Sequence, residues 1–589
     1  MKITNDVHQQ FAEYFPSENA KPYLYLLSKK LSDGHICIHI NEIENEELPE
    51  GYTFNSKLIE RDSLVSNGDE KKPLILQNNR LYLQRYFHYE TIILNRIKKF
   101  IEDEKSQSGM NLDSLKNLRD VITGLFKNSN TDSGNKNENI NWQLVAVITA
   151  ILNNFTIITG GPGTGKTTTV AKILSLLFTM NPGLKVALAE PTGKAAARMG
   201  ESLKNASAGG SEIMKTKFET MEPLTIHRLL GWQKDSIYFK QNKENTLPYD
   251  LIIVDESSMI DVALFAKLLE AIGPKTKLIL LGDKDQLASV EAGSLFGDLC
   301  QAQSTLNTFS EEKAAWINSF INDKTQTLNQ DFISHSTHPL FEHIIELKKS
   351  HRFSDDKGIG KFSKAIIKNN EEVLREFFRN ADEQVLVDKD YTEKIFNEFV
   401  DGYGDYIKET NIAEALKKMN RLKMLCAVRE GEQGLYAINK KIEKHLQQKK
   451  LIKVTGEFYE NRPVMITGNN YELNLFNGDV GIVRADEKGI LQVWFEVKGE
   501  IKPVLPAFVS NAETAYAMTI HKSQGSEFNE VMVVLPHKED VQILTRELLY
   551  TAVTRAKNKV VVQASEAMIL QTSHASVKRG SGIKERFIN

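Results

Sequence analysis

The chain has only three cysteines in 589 residues, Cys37, Cys300 and Cys426, and no two of them form a C-x-x-C pair. That argues against a disulfide framework, a zinc site or an iron–sulfur cluster, and fits a reducing compartment. Long apolar runs are also missing. The longest are strand-sized, such as Leu278-Ile279-Leu280-Leu281, far short of the roughly 20 residues a membrane-spanning helix needs. The first residues, Met1-Lys2-Ile3-Thr4-Asn5-Asp6, lack the apolar centre of a signal peptide, so the sequence reads as cytoplasmic. Net charge is nearly absent as well: 74 Lys and Arg stand against 77 Asp and Glu. A nucleic-acid partner would therefore meet a local groove, since there is no global basic field. What is present is a globular mixture, long enough for several separate cores.

The most informative segment is Gly160-Gly161-Pro162-Gly163-Thr164-Gly165-Lys166-Thr167. It lies between a β-branched run at 156–159 and a helix-like stretch at 168–177. This is the phosphate-binding loop in its required context of strand, glycine loop and helix. Gly160, Gly163 and Gly165 free the backbone so that N–H groups converge on an anion. The helix adds its positive end. Lys166 supplies a point charge near the β- and γ-phosphates, and Thr167, followed by Thr168, offers a hydroxyl to Mg²⁺. A nucleoside triphosphate, ATP with Mg²⁺, is the expected ligand.

Short apolar runs follow in two series. Residues 155–159, 186–189, 251–254 and 278–281 suit one parallel sheet buried on both faces, and 424–428, 531–535 and 560–563 suit a second. Between about 452 and 508 short alternating segments, separated by Gly, Asn and Asp turns, read as a small β-barrel. The expected class is α/β: two RecA-like parallel-sheet P-loop domains, an SH3-like barrel inserted in the second, and a mainly helical N-terminal domain. The expected divisions are 1–126 for that N-terminal docking domain, 127–140 for a polar linker, 141–340 for the first α/β domain and 341–589 for the second. Residues 201–220 and 301–335 read as irregular surface insertions.

Chemistry gathers at strand ends. The run 251–254 delivers Asp255 and Glu256 to the carboxyl end of a buried strand, where ligands sit in open α/β sheets. Asp255 can hold Mg²⁺, and Glu256 can act as general base on the attacking water. Gln286, in Gly282-Asp283-Lys284-Asp285-Gln286, follows the next strand and can report the γ-phosphate. Arg352 and Arg555 fall in the second α/β domain and can match phosphate charge bidentately. Asp388, Lys389 and Asp390 have no metal-binding framework around them and read as a solvated loop, which leaves any nuclease activity to a partner.

The ordered set resembles the superfamily 1 DNA helicases of the subclass that moves 5′→3′. Asn141-Trp142-Gln143 resembles the adenine-reading motif, with Gln143 as base contact. Glu190-Pro191-Thr192-Gly193-Lys194, Thr225-Ile226-His227-Arg228, Ser350-His351-Arg352-Phe353, Thr519-Ile520-His521-Lys522-Ser523-Gln524-Gly525-Ser526-Glu527 and Thr551-Ala552-Val553-Thr554-Arg555 resemble further motifs in the family's order. Within that subclass, Thr225-Ile226-His227-Arg228-Leu229-Leu230-Gly231-Trp232 and Asn477-Gly478-Asp479-Val480-Gly481 are similar to the RecD family, the smaller motor subunits of RecBCD (exodeoxyribonuclease V) complexes. Ser257 stands where family members often carry alanine. The helix-hairpin-helix repeats of stand-alone relatives are absent from the sequence.

The resemblance implies an ATP-dependent helicase subunit acting on single-stranded DNA with a 5′ tail, beside RecB-like and RecC-like subunits, with the N-terminal domain docking on the latter. It places Glu527 near the nucleotide sugar. It also puts Pro191, Thr192, Lys194, His227, Thr519 and His521 along the DNA channel, where a threonine or histidine can equally be a helix cap. Two alternatives stand beside this reading: a stand-alone helicase of the same type, and an ATP-clamp assembly subunit that does not translocate.

Overall fold

The computed structural model describes residues 6–104, 108–127, 140–206, 212–234, 236–470, 472–497, 499–509, 511–537, 543–577 and 579–588. The expected linker lies almost wholly outside them. Among the described residues no helix is long and apolar enough to cross a membrane.

The first α/β body is a six-stranded parallel sheet. Its order is Ile344–Glu346, Phe155–Thr159, Lys277–Gly282, Leu251–Val254, Val186–Glu190 and Leu224–Thr225. All five residues of Phe155–Thr159 are buried, because helices cover both faces. Ile158 packs with the helices Trp142–Leu152 and Lys166–Met180 on one side, and Phe155 and Ile157 pack with Val262–Ala271 on the other. The edge strand Ile344–Glu346 carries this sheet past the expected boundary at residue 340. Three residues are too short a run to stand out in the sequence.

The expected N-terminal domain also ends earlier than residue 126. Its independent part is a helix pair, Val7–Glu13 and Lys21–Ser32, against a small four-stranded sheet that the sequence hid. One hairpin of that sheet turns on Asn78 and Asn79, both at positive φ, as a two-residue primed turn requires. Beyond it, the helix Gln84–Glu104 lies on the first α/β sheet, with Phe100 stacked on Phe155 at 6.1 Å. Leu115 and Ile122 join the core on the opposite face. The segments expected to be irregular also fold. Glu311–Asn318 is a helix that buries Ala314 and Ile317 in the first core, and Phe332 meets Trp142 edge to face at 5.3 Å.

The second body is a five-stranded parallel sheet, ordered Val385–Asp388, Ala556–Gln563, Phe528–Val534, Leu422–Cys426 and Ala517–Thr519. The expected barrel is a five-stranded antiparallel sheet around its own core of Val464, Val483, Val493 and Phe495. It recruits Ala512–Thr514 and so runs past residue 508. Asp388 is not solvated: it is 4% exposed and accepts from the Thr392 N–H and hydroxyl and from Gln563 Nε2.

The chain then leaves the second body after the helix Glu566–His574 and returns to the first. Arg579 donates to the carbonyls of Glu291 and Gly293 at 3.1 and 2.8 Å. Ile36 N–H donates to Gly580 O at 2.9 Å. Arg586 pairs at 2.9 Å with Glu90, whose side chain is fully buried.

Candidate active site in the cleft between the sheets

The phosphate-type loop leaves the carboxyl end of Phe155–Thr159 and enters the helix Lys166–Met180. Gly163 and Gly165 sit at φ +78° and +87°, the region where a side chain is strained. Gly160 is not at positive φ. It is required for space, since a Cβ there would stand 2.7 Å from Thr164 Oγ1 and 3.0 Å from Leu347 Cβ. Lys166 Nζ donates to Gly160 O at 2.7 Å, so its ammonium is folded onto the loop itself. Gln143 Nε2 donates to Thr164 O at 3.1 Å, and Lys172 Nζ reaches Gln143 Oε1 at 3.3 Å.

Above this loop lies a cleft of about 670 Å³. Gln143, Pro162, Gly163, Thr164, Gly165, Lys166, Thr167 and Thr168 line one side. Asp255, Glu256 and Gln286 come from the neighbouring strand ends, and Arg352, Glu527 and Arg555 close the far side. Gly160 and Gly161 lie just behind. The structure thus brings the expected catalytic, nucleotide and metal residues to one place.

Arg352, expected in the second domain, does not come from the second body. Ser350 Oγ donates to Pro162 O at 3.0 Å and His351 N–H donates to Gly163 O at 2.8 Å. The segment is a connector clamped on the loop, between the last strand of the first sheet and the first helix of the second. Arg555 does arrive from the second body. It is 3% exposed and donates to the carbonyls of Thr551 and Ser526 at 3.1 and 3.3 Å.

The electrostatics are concentrated. Glu256 holds a left-handed backbone at φ 48°, a strained conformation for a non-glycine residue of the kind found at functional sites. Burial, with Glu256 adjacent, pushes the Asp255 carboxyl up to about 6 against the pull of Lys166. Burial also raises Glu190, at the end of the next strand, well above the ordinary range, helped by Asp255 and Glu256. Opposite them, Glu527 collects three cations: Arg198, Arg352 at 2.7 Å and Lys557 at 3.4 Å. Burial works against its charge, but Arg198 and Arg352 outweigh it and hold that carboxyl far below the usual range.

Four residues around this cleft were not identified from the sequence. Glu190 ends a buried strand, as Asp255 nearly does, and that position was the available signal. Arg198 lies one turn into the helix Gly193–Ala206 and crosses to Gly525 O at 3.3 Å. Asp283 accepts from Gln286 Nε2 and from the hydroxyl of Tyr550, both at 3.0 Å. Tyr550 itself comes from the second body's helix Arg546–Val553.

The residues expected along the DNA channel do not line this cleft. Thr192 Oγ1 accepts from Ala195 N–H at 3.3 Å, a helix-cap geometry, and lies opposite Gly525 of the second body. Pro191 precedes it. Lys194 faces Asp479 of the inserted sheet, and burial pushes its ammonium down to about 8. His227 is exposed, with its ring 5.7 Å from Phe239. Thr519 ends the edge strand of the second sheet at 8% exposure and accepts from Lys522 N–H at 3.4 Å. His521 follows it, held below its ordinary value by burial and by Arg579.

Residues 6–82 match the family described as RecBCD enzyme subunit RecD, N-terminal domain. Residues 143–292 match an AAA domain, and 514–563 match the UvrD-like helicase C-terminal domain. RecBCD enzyme subunit RecD of Haemophilus influenzae is 35% identical, over 87% of this chain and 80% of that protein. The corresponding subunit of Buchnera aphidicola subsp. Acyrthosiphon pisum is 32% identical, over 96% of this chain and 94% of that one. Among solved structures, the Pif1 helicase from Bacteroides in complex with ADP-AlF3 and ssDNA aligns at 16% identity with a TM-score of 0.37, over 74% of this chain and 94% of that one. By near-complete coverage of relatives more than 30% identical to it, the chain belongs to the RecD family of RecBCD enzyme subunits.

Proposed function

We propose that the chain is an ATP-dependent 5′→3′ DNA helicase and translocase subunit. It works beside RecB-like and RecC-like subunits in a heterotrimeric helicase–nuclease, in double-strand break repair by homologous recombination and in degradation of linear DNA. The nuclease site belongs to a partner. One observation carries the reading: a phosphate-type loop and two acids on one sheet face Arg555 and Glu527 of a second sheet across a single cleft of about 670 Å³.

In this reading Gln143 contacts the base and Glu527 the sugar. Loop N–H groups from Gly160 to Thr168 and the Lys166 ammonium hold the phosphates. The donor set suits Mg²⁺: the Thr167 hydroxyl and the buried Asp255 carboxyl both line the cleft and are hard oxygen ligands. Held there by Thr167 and Asp255, such an ion would supply positive charge to the phosphate oxygens. Glu256 takes the proton of the attacking water, Gln286 senses the γ-phosphate, and Arg352 and Arg555 stabilise the charge that develops on it.

The DNA part rests on the resemblance of these motifs to those of the helicase family. Pro191, Thr192, Lys194 and His227 of the first body and Thr519 and His521 of the second are taken as the grips on the strand; Thr192 lies opposite Gly525, and Lys194 faces Asp479, across the junction of the bodies. Closing on ATP and reopening after hydrolysis change the distance between two grips on a single strand, so the chain steps along it.

The test is a pair of measurements. Lys166→Gln is expected to abolish DNA-stimulated ATP hydrolysis and movement from a 5′ tail while leaving the melting temperature unchanged. Co-purification with RecB-like and RecC-like chains is expected for parent and variant alike. Full ATPase activity in Lys166→Gln, or a monomer indifferent to both partners, contradicts the proposal.

A further inference from the structure

The loop that carries Gln286 is gripped by the opposite body. Asp283, 2% exposed, accepts at Oδ2 from Gln286 Nε2 and from the Tyr550 hydroxyl, both at 3.0 Å. One residue after Gln286, Leu287 N–H donates to Thr551 Oγ1 at 2.9 Å, and Leu287 O accepts from Gln524 Nε2 at 3.0 Å. Both backbone groups beside Gln286, and the carboxylate that holds its amide, are therefore fixed by side chains of the second body. The Tyr550 ring is buried in the second body's core. Its hydroxyl reaches the first body, where a Cβ on Gly161 would lie 2.9 Å from it. It thus sits between the phosphate-type loop and Asp283.

The first body's own bonds hold the backbone of this loop: Gln286 N–H donates to Asp283 O at 3.3 Å and Lys284 N–H to Thr159 Oγ1 at 3.1 Å. Within it, Asp283 Oδ1 accepts from Asp285 N–H at 3.1 Å, which shapes the turn but leaves the Gln286 side chain dependent on Oδ2. If the second body moves away, Oδ2 loses one of its two donors and Leu287 loses both partners. Gln286 then keeps only its bond to an Asp283 carboxylate that is itself held less firmly, and the direction of its amide is loosened.

We propose that Tyr550 is a positioning residue: its hydroxyl, through Asp283, aims Gln286 at the γ-phosphate only while the two bodies are closed. Hydrolysis is thereby made conditional on closure by a hydrogen bond that no single body can complete. The inference rests on the reading of Gln286 as the γ-phosphate sensor.

The test is a double-mutant cycle on the full chain, with ATPase kinetics in the presence and absence of single-stranded DNA. Tyr550→Phe removes the hydroxyl and keeps the ring. It is expected to lower DNA-stimulated kcat about tenfold or more, the equivalent of one hydrogen bond to a charged group, with KM for ATP within about twofold. Asp283→Ala is expected to give the same split. Adding Tyr550→Phe to Gln286→Ala is expected to cost nothing further, because the two act through one path. Additive losses in the cycle, or a raised KM with unchanged kcat, overturn the inference. If Gln286→Ala itself leaves kcat unchanged, the sensor reading fails. If Gln286→Ala slows turnover and Tyr550→Phe does not, only the positioning role fails.

Discussion

Replacing Glu527 by Gln removes the one carboxylate that ties together cations from all three parts of the cleft. Arg198 belongs to the first body, Arg352 to the connector and Lys557 to the second body. The Glu527 side chain is 12% exposed and that of Arg352 24%, so their contact is a charge-assisted bond worth about 1.5–3 kcal/mol. Arg198 and Lys557 are 39% and 45% exposed, and solvent screening reduces each of those pairs to about 0–1 kcal/mol. The neutral amide of Gln keeps part of the hydrogen bonding. The net loss is roughly 2–3 kcal/mol, which lowers the melting temperature of an α/β domain of about 200 residues by around 5–10 °C. The loss shrinks when nucleotide is present, because a triphosphate brings anionic oxygens to the same arginines. Thermal melts with and without a saturating non-hydrolysable ATP analogue read both effects. The nucleotide-free Glu527→Gln variant should melt several degrees below the parent, and the analogue should narrow the gap. Identical melting without nucleotide, or a gap that the analogue leaves untouched, refutes the reasoning.

Other outcomes follow from single residues. In Gly163→Ala the new Cβ collides with Arg352 Cβ and stands 3.0 Å from Ser350 Oγ. Titration with a fluorescent nucleotide should show at least tenfold weaker binding, and unchanged affinity would contradict the loop geometry. Arg586→Ala leaves the fully buried Glu90 without its cation and should cost about 3 kcal/mol or more, read by chemical denaturation and by earlier proteolysis near residue 580. Asp298 provides a pH test. Burial pushes its carboxyl up to about 7 from 3.8, so the folded state binds its proton more tightly than the unfolded chain. The stability this confers is complete below about pH 4 and is lost as pH rises through 7. Asp298→Asn should therefore be more stable than the parent at pH 8 in chemical denaturation, by up to a few kcal/mol, with the difference shrinking toward pH 4. A constant difference across that range refutes it.

The sequence discloses a strand when burial on both faces forces a run of β-branched and aliphatic residues. Phe155–Thr159 and Leu251–Val254 are legible for that reason. Edge strands of two or three residues, Leu224–Thr225, Ile344–Glu346 and Ala517–Thr519, are set by register with neighbours and leave no periodicity to read. Residues of the phosphate-type loop were legible because a backbone cradle restricts residue type position by position. Arg198, Asp283 and Tyr550 were not, since their roles arise from contacts between residues far apart in sequence, such as Arg198 with Glu527 and Tyr550 with Asp283, 267 residues away. Placing Arg352 in the second domain failed for a related reason. Its motif follows the last strand of the first sheet, and only the hydrogen bonds of Ser350 and His351 to the loop reveal its side.

The returning segment at 579–588 changes what the cleft can do mechanically. The chain crosses between the two bodies at residues 347–357 and crosses back after residue 574, where Arg579, Gly580 and Arg586 are pinned to the first body and the N-terminal module. Two bodies joined at one point can swivel and twist freely. Joined at two, they turn about the line through both joints, as a door does on a pair of hinges. Relative motion is thereby reduced toward a single rotation, so each opening retraces the path of the previous closing, and the Tyr550 hydroxyl returns to the same carboxylate on every cycle.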